Sequence, residues 1–440
     1  MSAAAALSIP ALLAAQGTAA GKCAPDNVGI KVPAGFCVTL FADSIPGVRS
    51  LAVAPNGDVF AAVQGRTGAG VVALRDAGNT GHATTKQQFA SGFTSSQIAL
   101  FDRHVYTEAA QTRPQGANAS APAPTIAIVR FPLKAGELTP SGPADTIVSG
   151  LPGAPGHVSR NFTITPDGVL YVNVGSPTNS CQSPDRKAGA PGANPCTELD
   201  TRAGIWKFDA RKKNQTQVTG VHFARGIRNA VGVAISPVDG KLWAMQHGRD
   251  QLSDWRDKLG LDSAAAARYS AENPAEQLMQ VNQGEDYGWP YCYYAADQHH
   301  LVLAPEYGGD GKKTAQCAQK HEPVATFPGH WAPNALFFYT GSSFPARYKN
   351  GAFIAFHGSW NRAPEPQAGY NVVFQPLKGT ATAGKYEVFA EGFSPSGSAG
   401  RASAAGGYHR PTGLAQAADG SLYVADDTGG RIYKIVYTGK

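Results

Sequence analysis

The sequence predicts an all-β protein, a six-bladed β-propeller with four-stranded antiparallel blades and loop insertions. Three observations predict it. A strand–turn–strand pattern recurs along the chain, Gly (51) and Pro (31) are abundant, and only 16% of the 440 residues are charged. Short strands joined by many turns have this composition. Because one propeller fits this length, we expect residues 21–440 to form a single domain.

Six copies of the repeated unit are present. The four clear copies place an Asn-Gly or Asp-Gly turn between two apolar strands, which is a strong hairpin signal. They span residues 50–60, 162–172, 231–245 and 413–425. Weaker copies at 97–109 and 335–357 complete the six, and a seventh blade inside an insertion stays open.

The copies are irregularly spaced, which indicates insertions between strands rather than a strict repeat array. The segment 252–280 has the pattern of a helix. The other insertions are expected at 111–124, 176–196 and 394–407.

The N-terminal residues 1–20 resemble a signal segment. They are rich in Ala and Leu and end in the small residues of 18–20, but they lack a basic start, so an extension outside the fold is the alternative. No later stretch has about 18 uninterrupted apolar residues, and we expect no membrane span. A signal segment implies a secreted or periplasmic protein.

Six cysteines fall into three couples that are local in sequence: Cys23 with Cys37, Cys181 with Cys196, and Cys292 with Cys317. They form neither the close CxxC pairs of a zinc ribbon nor the CxxCH of haem attachment. Disulfides formed in an oxidising compartment are the simpler interpretation. Six cysteines allow fifteen connectivities, so the local pairing is a hypothesis from proximity.

The formal charge of +6 arises from 38 basic and 32 acidic residues without a clustered basic run. This argues against a nucleic-acid partner and leaves small anionic ligands open.

Topology predicts where a site lies. In every copy, the segment before the first strand and the segment after the second strand reach the same end of the propeller. That end therefore collects polar residues. Before first strands stand His157, Arg228, Asn229, His330, Trp331 and Arg410; after second strands stand Arg66, His247, Gly248, Asp250, His357, Trp360 and Arg362.

Several stretches in these loops resemble the pyrroloquinoline-quinone (PQQ)-dependent sugar dehydrogenases related to L-sorbosone and pyranose dehydrogenases, and more distantly soluble glucose dehydrogenase. The most specific are YGWPYC at 287–292, HGSWNR at 357–362 and RPTGL at 410–414. Together with the His157 and Arg228 segments, they extend the resemblance from about residue 30 to the C-terminus.

The resemblance implies a PQQ- and Ca²⁺-dependent oxidoreductase acting on a sugar or a sugar-derived aldehyde. His157 would be the general base, because histidine has a pKa near neutrality. Guanidinium forks suit the carboxylates of the cofactor. The expected cofactor-binding residues are Arg66, Arg228, Asn229, His330, Trp360, Arg362 and Arg410, with Trp331 as a further ring.

Calcium prefers oxygen ligands, including backbone carbonyls. The resemblance implies that the carbonyls at His247 and Gly248 bind it, and Asp250 is either an added ligand or a solvated carboxylate. Without a CxxCH motif, the electron acceptor, a cytochrome or a quinone, would be a separate partner.

Two other functions remain open. A Ca²⁺-dependent propeller lactonase could use a metal and a histidine to activate water. A non-catalytic propeller could bind glycans at the same end. Neither requires several arginines around one cavity, and that requirement discriminates between them and the dehydrogenase.

Overall fold

The structure is a computed structural model that describes residues 23–65, 68–110, 125–394 and 409–439. Its main sheets are six antiparallel blades, and their first strands contact one another in a closed ring. The predicted six-bladed propeller is confirmed. The signal-like residues 1–20, the insertion 111–124 and most of the insertion 394–407 lie outside the described residues.

Strand β1 (Phe36–Ala42) comes first in the chain and belongs to the last blade. Blade 1 contains β2 (Val48–Val53), β3 (Val59–Val63), β4 (Gly70–Arg75) and β5 (Thr85–Ala90). Blade 2 contains β6 (Ile98–Phe101), β7 (His104–Ala110), β8 (Ile126–Pro132) and β9 (Asp145–Leu151). Blade 3 contains β10 (Phe162–Ile164), β11 (Val169–Val174), β12 (Gly204–Asp209) and, after the short β13 (Gln215–Thr216) that joins blade 2, β14 (Val221–Arg225).

Blade 4 contains β15 (Ala230–Ile235), β16 (Leu242–Gln246), β17 (Glu276–Val281) and, beyond the hairpin of β18 (Cys292–Ala295) and β19 (His300–Leu303), β20 (Ala325–Phe327). Blade 5 contains β21 (Pro333–Phe338), β22 (Ala352–Phe356), β23 (Asn371–Gln375) and, beyond the hairpin of β24 (Leu377–Lys378) and β25 (Ala381–Thr382), β26 (Glu387–Ala390). Blade 6 contains β27 (Pro411–Gln416), β28 (Leu422–Asp426) and β29 (Arg431–Tyr437), with β1 as its outer strand.

Pairing of β1 with β29 closes the ring, because strands from the two ends of the chain share one blade. The hairpin turns form as their sequences predict: Gly57 and Gly168 adopt φ values of +92° and +96°, which glycine reaches without steric strain.

The segment 252–280 is only partly helical. Helices α1 (Arg256–Leu259) and α2 (Ser263–Glu272) follow a 3₁₀ turn at Leu252–Trp255, but Glu276–Val281 forms a blade strand. The helical prediction is wrong there, because pairing with β16 and β20 overrides the helix propensity of Glu, Gln, Leu and Met. Further 3₁₀ turns are Asn27–Gly29, Thr197–Asp200, Gln217–Thr219, Pro305–Tyr307, Ala315–Gln319 and Ala346–Tyr348.

The apolar core lies between neighbouring blades. Between blades 5 and 6, the ring of Phe36 packs edge-on against Phe344 at 4.8 Å and Phe389 at 5.0 Å. Each such buried side chain contributes roughly 1.5–3 kcal/mol to folding. This packing makes the blades a rigid support for the loops at their ends.

Three disulfides pair the cysteines locally, as predicted: Cys23–Cys37, Cys181–Cys196 and Cys292–Cys317. Among the described residues, every helix falls short of the length and apolar character needed to cross a bilayer.

Candidate functional site

Two adjoining cavities, of about 190 and 360 Å³, open at one end of the propeller. They share His157, His247, Ala332 and Trp360. The smaller is also lined by Arg186, Arg228, Gly248, Asp250, Glu276, His330 and Asn361. The larger is also lined by Arg49, Val158, Ser159, Asn229, Val231, Asn334, His357 and Arg410.

Larger cavities of about 380 and 610 Å³ lie at the opposite end, where the hairpin turns of the blades meet. Their lining includes the turn residues Asn56 and Asp58, with Asp58 already paired to Arg75 at 2.7 Å. We place the candidate site in the smaller pair of cavities because the titratable and cationic groups converge there.

His157 presents one ring nitrogen as a base. Its Nδ1 lies 2.8 Å from the carbonyl oxygen and 3.1 Å from Oγ of Ser176. Because a carbonyl only accepts, Nδ1 carries the proton, which leaves the lone pair on Nε2. Burial lowers the pKa of His157 well below its ordinary value, and the charge of Arg228 lowers it further. The imidazole is therefore neutral at pH 7.

Arg228 is buried, and both terminal nitrogens of its guanidinium group donate hydrogen bonds. Nη1 donates to the Gly248 carbonyl at 2.8 Å, and Nη2 donates to Asn179 Oδ1 at 3.0 Å and Asp250 Oδ2 at 3.2 Å. Burial raises the pKa of Asp250, but Arg228, His330 and Arg186 outweigh it and hold that pKa below the usual range. Asp250 is thus an ionised, paired carboxylate rather than a solvated one.

A second charged group surrounds Arg410. Its Nε donates to the His357 carbonyl at 2.8 Å and its Nη2 to the Gly358 carbonyl. Asp427 bridges His357 Nε2 at 2.9 Å and Arg49 Nη1 at 2.7 Å. Burial lowers the pKa of His357 to about 4. Within the described ranges, Nη1 of Arg410 has no hydrogen-bond acceptor, so it can donate to water or to a ligand.

Asn229 also has a side-chain hydrogen-bond donor that no described residue uses. Asn173 Oδ1 accepts from the Ala230 N–H, so Asn173 Nδ2 donates to Asn229 Oδ1 at 3.0 Å. The side chain of Asn229 therefore keeps its Nδ2 donor, for which the described part of the chain supplies no acceptor.

Glu276 is a buried carboxyl group in the smaller cavity. Its Oε2 accepts from the Gly248 N–H at 2.9 Å, and its Oε1 accepts from the Ala332 N–H at 3.2 Å. Burial raises its pKa to about 7. The group ties the loop after β16 to the loop before β21.

The rings of His247 and His330 are held by backbone carbonyls. His247 Nε2 donates to Pro333 at 2.9 Å, and His330 Nε2 donates to Ser270 at 2.6 Å. Burial lowers the pKa of His247 to about 4. Nε2 of His247 is therefore engaged, and a metal bound by the Gly248 carbonyl would share that oxygen with the Arg228 guanidinium.

Two of the predicted arginines are not placed in the site. Arg362 lines neither cavity: its guanidinium donates to the carbonyls of Gly329 (2.9 Å), Ala271 and Pro366 and to Glu272, which fixes it beneath the loop. Arg66 lies outside the described residues.

Among the tryptophans of the motif loops, Trp360 lines both cavities and is 55% exposed. Trp331 instead packs edge-on against Phe356 at 5.3 Å and lines neither cavity. Trp289 is buried and donates from Nε1 to the Asn179 carbonyl at 3.0 Å.

Sequence reasoning missed several lining residues. Arg49 directly precedes the first repeat copy, so the loop rule could have found it. Glu276 starts a third strand, which the rule does not address, and Arg186 lies in the insertion closed by the Cys181–Cys196 disulfide. Asn361 belongs to the HGSWNR stretch, where its neighbours were chosen instead.

A family model described as TrAA12-like matches residues 30–438. The chain is 27% identical over 270 residues to an uncharacterised protein of Borreliella burgdorferi, covering 61% of this chain and 57% of that protein. It is 27% identical over 316 residues to a PQQ-dependent pyranose dehydrogenase of Coprinopsis cinerea, covering 63% of this chain and 38% of that protein. The chain thus spans 57% of the length of the first relative and 38% of the length of the second.

Two solved structures are similar across nearly the whole chain. One is the iodide structure of a Trichoderma reesei carbohydrate-active enzyme of family AA12 (TM-score 0.73, 19% identity, 93% of this chain and 98% of that chain). The other is the holo form of the PQQ domain of Coprinopsis cinerea pyranose dehydrogenase (TM-score 0.71, 19% identity, 92% and 97%). At these identities the likeness shows the fold.

Proposed function

The chain belongs to the TrAA12-like family, and we propose that it is a PQQ- and Ca²⁺-dependent oxidoreductase that oxidises a sugar or a sugar-derived aldehyde. Its electrons would pass to a separate cytochrome or quinone acceptor. Three disulfides support a secreted or periplasmic location, because such bonds persist in oxidising compartments.

The observation that carries the proposal is the convergence of guanidinium groups on cavities that also hold a neutral histidine base. Four arginines, Arg49, Arg186, Arg228 and Arg410, line the cavities, against the carboxylates of Asp250, Glu276 and Asp427. The surplus is one positive charge with Glu276 ionised and two with it protonated, and its pKa of about 7 places the site between the two at neutral pH. Either surplus fits a trianionic cofactor carrying one Ca²⁺, whose net charge is −1. A lactonase or a glycan-binding propeller has no need of this surplus.

The residues divide into two roles. Nη1 of Arg410 and Nδ2 of Asn229 would donate to cofactor oxygens, with Arg228 and His330 beside them and Trp360 as a flanking ring. Backbone carbonyls at His247 and Gly248 would supply oxygen ligands for Ca²⁺, which prefers them. A quinone held by these residues would supply the two-electron oxidant, taking one hydride from the sugar carbon while the hydroxyl proton goes to His157, and Ca²⁺ would supply a Lewis acid.

His157 acts on the proton. Nε2, left basic by the Nδ1 bond to Ser176, accepts the proton of the substrate hydroxyl as the carbon is oxidised. Since burial keeps the ring neutral at pH 7, the base is ready without prior deprotonation. The Ser176 carbonyl stabilises the imidazolium that forms.

Titration of the apo-protein with PQQ and Ca²⁺, followed by quinone absorbance, tests the assignment. We expect tight, Ca²⁺-dependent binding, and reduction of an acceptor dye with some aldose, ketose or dicarbonyl sugar. Lactone hydrolysis with Ca²⁺ alone would favour the lactonase instead. If PQQ fails to bind, the dehydrogenase assignment is wrong.

Replacing Arg410 by Gln is expected to raise the Kd for PQQ about 10- to 100-fold, because it removes a charge-assisted donor from a cofactor carboxylate. Arg347, which pairs with Glu387 on an exposed surface, is the matched control as Arg347→Gln. Equal Kd values for the two variants would remove Arg410 from the cofactor site.

A further inference from the structure

The loop that carries His157 is held from behind by Arg202, which is buried. From Nε, Arg202 donates to the Gly175 carbonyl at 2.8 Å. From Nη1 and Nη2 it donates to the carbonyls of Gly153 at 3.2 Å and Pro155 at 2.9 Å. One guanidinium therefore joins the start of the loop to the end of β11.

A second buried arginine, Arg160, holds the other side of the same loop. Its Nη1 donates to the carbonyls of His157 at 2.8 Å and Ser159 at 3.1 Å, and its Nη2 donates to the carbonyl of Pro152. Arg160 is fully buried. Together the two guanidinium groups donate to the carbonyls of residues 152, 153, 155, 157 and 159.

The loop cannot satisfy these carbonyls itself. Pro152 and Pro155 lack an N–H, and Gly156 has φ +82° with the Pro177 backbone packed where a Cβ would stand. In the ranges that the structure describes, the carbonyls of residues 152, 153 and 155 accept no other hydrogen bond. Gly153 is buried and Pro152 is partly buried, so an unpaired carbonyl there is unfavourable, and the guanidinium groups stabilise this part of the loop by satisfying both.

The guanidinium groups of Arg160 and Arg202 do not form ordinary ion pairs. Among the described residues, neither guanidinium lies within 4.0 Å of a carboxylate oxygen, although the backbone N–H of Arg160 donates to Oε1 of the buried Glu108 at 3.0 Å. Burial lowers the pKa of Arg160 and of Arg202, and the charge of Arg202 adds to the effect on Arg160. Two like charges buried close together disfavour the folded state, and the loop carbonyls together with the charges of Glu108 and Glu198 offset that cost.

We propose that Arg160 and Arg202 are positioning residues that hold the His157 ring with Nδ1 on Ser176 and Nε2 towards the cavity. The inference rests on the proposed role of His157 as the base. A fork is required because the three donors of an ammonium sit on one nitrogen, whereas Arg202 reaches three carbonyls from three separate nitrogens.

The variants Arg202→Lys and Arg160→Lys keep a basic side chain of similar length and remove the fork. In the PQQ- and Ca²⁺-loaded enzyme, we expect kcat to fall about 10- to 100-fold, as for a slightly misplaced catalytic group. KM and the Kd for PQQ should change less than about threefold, because neither arginine reaches the cavities. The matched control is Arg130→Lys, an arginine of blade 2 bonded to Asp145 and Tyr106.

A second readout needs no cofactor. ¹⁵N-histidine NMR of the apo-protein, with His157→Asn to assign the signal, should show the Nδ1–H tautomer in the wild type and a mixture of tautomers in both Lys variants. Retention of kcat within threefold of the control together with an unchanged signal would overturn the proposal. If one variant fails to fold by circular dichroism, the other decides. If neither folds, an Nε2–H tautomer in the wild type overturns it, and the Nδ1–H tautomer supports it.

The two failures are distinguishable. Loss of the proposed function would appear as wild-type protein that does not bind PQQ, while the tautomer would still report whether the arginines hold the ring. Loss of the positioning role would appear as normal PQQ turnover in both Lys variants.

Discussion

Replacing His157 by Asn is expected to lower kcat about 10³-fold, while the Kd for PQQ stays within about threefold. Nε2 is the proton acceptor that the Ser176 bond leaves exposed to the cavity, and a positioned general base contributes about 10²–10⁴-fold. Steady-state dye reduction gives kcat, and absorbance titration gives the Kd.

His104 provides a matched control. Its Nδ1 lies 2.6 Å from the Asp102 carbonyl, so it has the same ring-to-carbonyl bond at the opposite end of the propeller. His104→Asn should retain wild-type kcat. A His157→Asn enzyme with kcat within tenfold of this control would show that another group takes the proton.

The pH profile follows from the same bonds. The folded pKa of His157 lies well below 6.5 because of burial and the charge of Arg228, so the base is still neutral when the pH falls from 7 to 6.5. The rate kcat/KM should therefore be flat near neutrality and fall on acidification with a midpoint below 6.5. Between the folded and unfolded pKa values the unfolded state binds more protons, so His157 also makes stability decrease as pH falls there.

The fold was readable from local signals where turns dominate. The turn at Asn56-Gly57 is formed by four consecutive residues, so the local sequence is enough to predict the hairpin of β2 and β3. The strand at Glu276–Val281 was not readable, because its good helix formers become a strand only through pairing with β16 and β20. Spatial neighbours that are distant in sequence decide such cases.

The site was partly readable for a related reason. The position of a loop before a first strand or after a second strand predicts the end of the propeller at which its residues lie. On that basis His157, Arg228 and Arg410 are expected at one end, and the structure places them there. The position of the loop does not tell where a side chain points. Arg362 sits in the expected loop, but nearby carbonyls at Ala271 and Gly329 take its donors. Side-chain direction depends on acceptors supplied by other segments.

Replacing Arg228 by Met should have two separable effects. The free energy of unfolding should fall by about 3–5 kcal/mol, because Asp250 and Asn179 Oδ1 lose a buried partner. The Kd for PQQ should rise about 10²–10³-fold, because a cation beside the cofactor is removed. Urea unfolding of the apo-protein measures the first, and PQQ titration measures the second.

The double variant Arg228→Met/Asp250→Asn separates structure from binding. Removing the stranded carboxylate should restore part of the stability, whereas the Kd for PQQ should stay raised. If PQQ affinity returns with stability, Arg228 acts only on the fold and the anion-binding role is wrong.

The pH dependence of stability shows how Arg228 stabilises the fold. In the wild type, Arg228 helps to hold the pKa of Asp250 below 3.8, so this carboxylate adds stability that is present at pH 7 and lost as pH falls through the folded pKa. Without Arg228, burial raises that pKa towards or above its unfolded value. The stability difference between wild type and Arg228→Met should therefore shrink as pH falls, and a difference that does not change with pH would mean that Arg228 stabilises the loop through its carbonyl contacts alone.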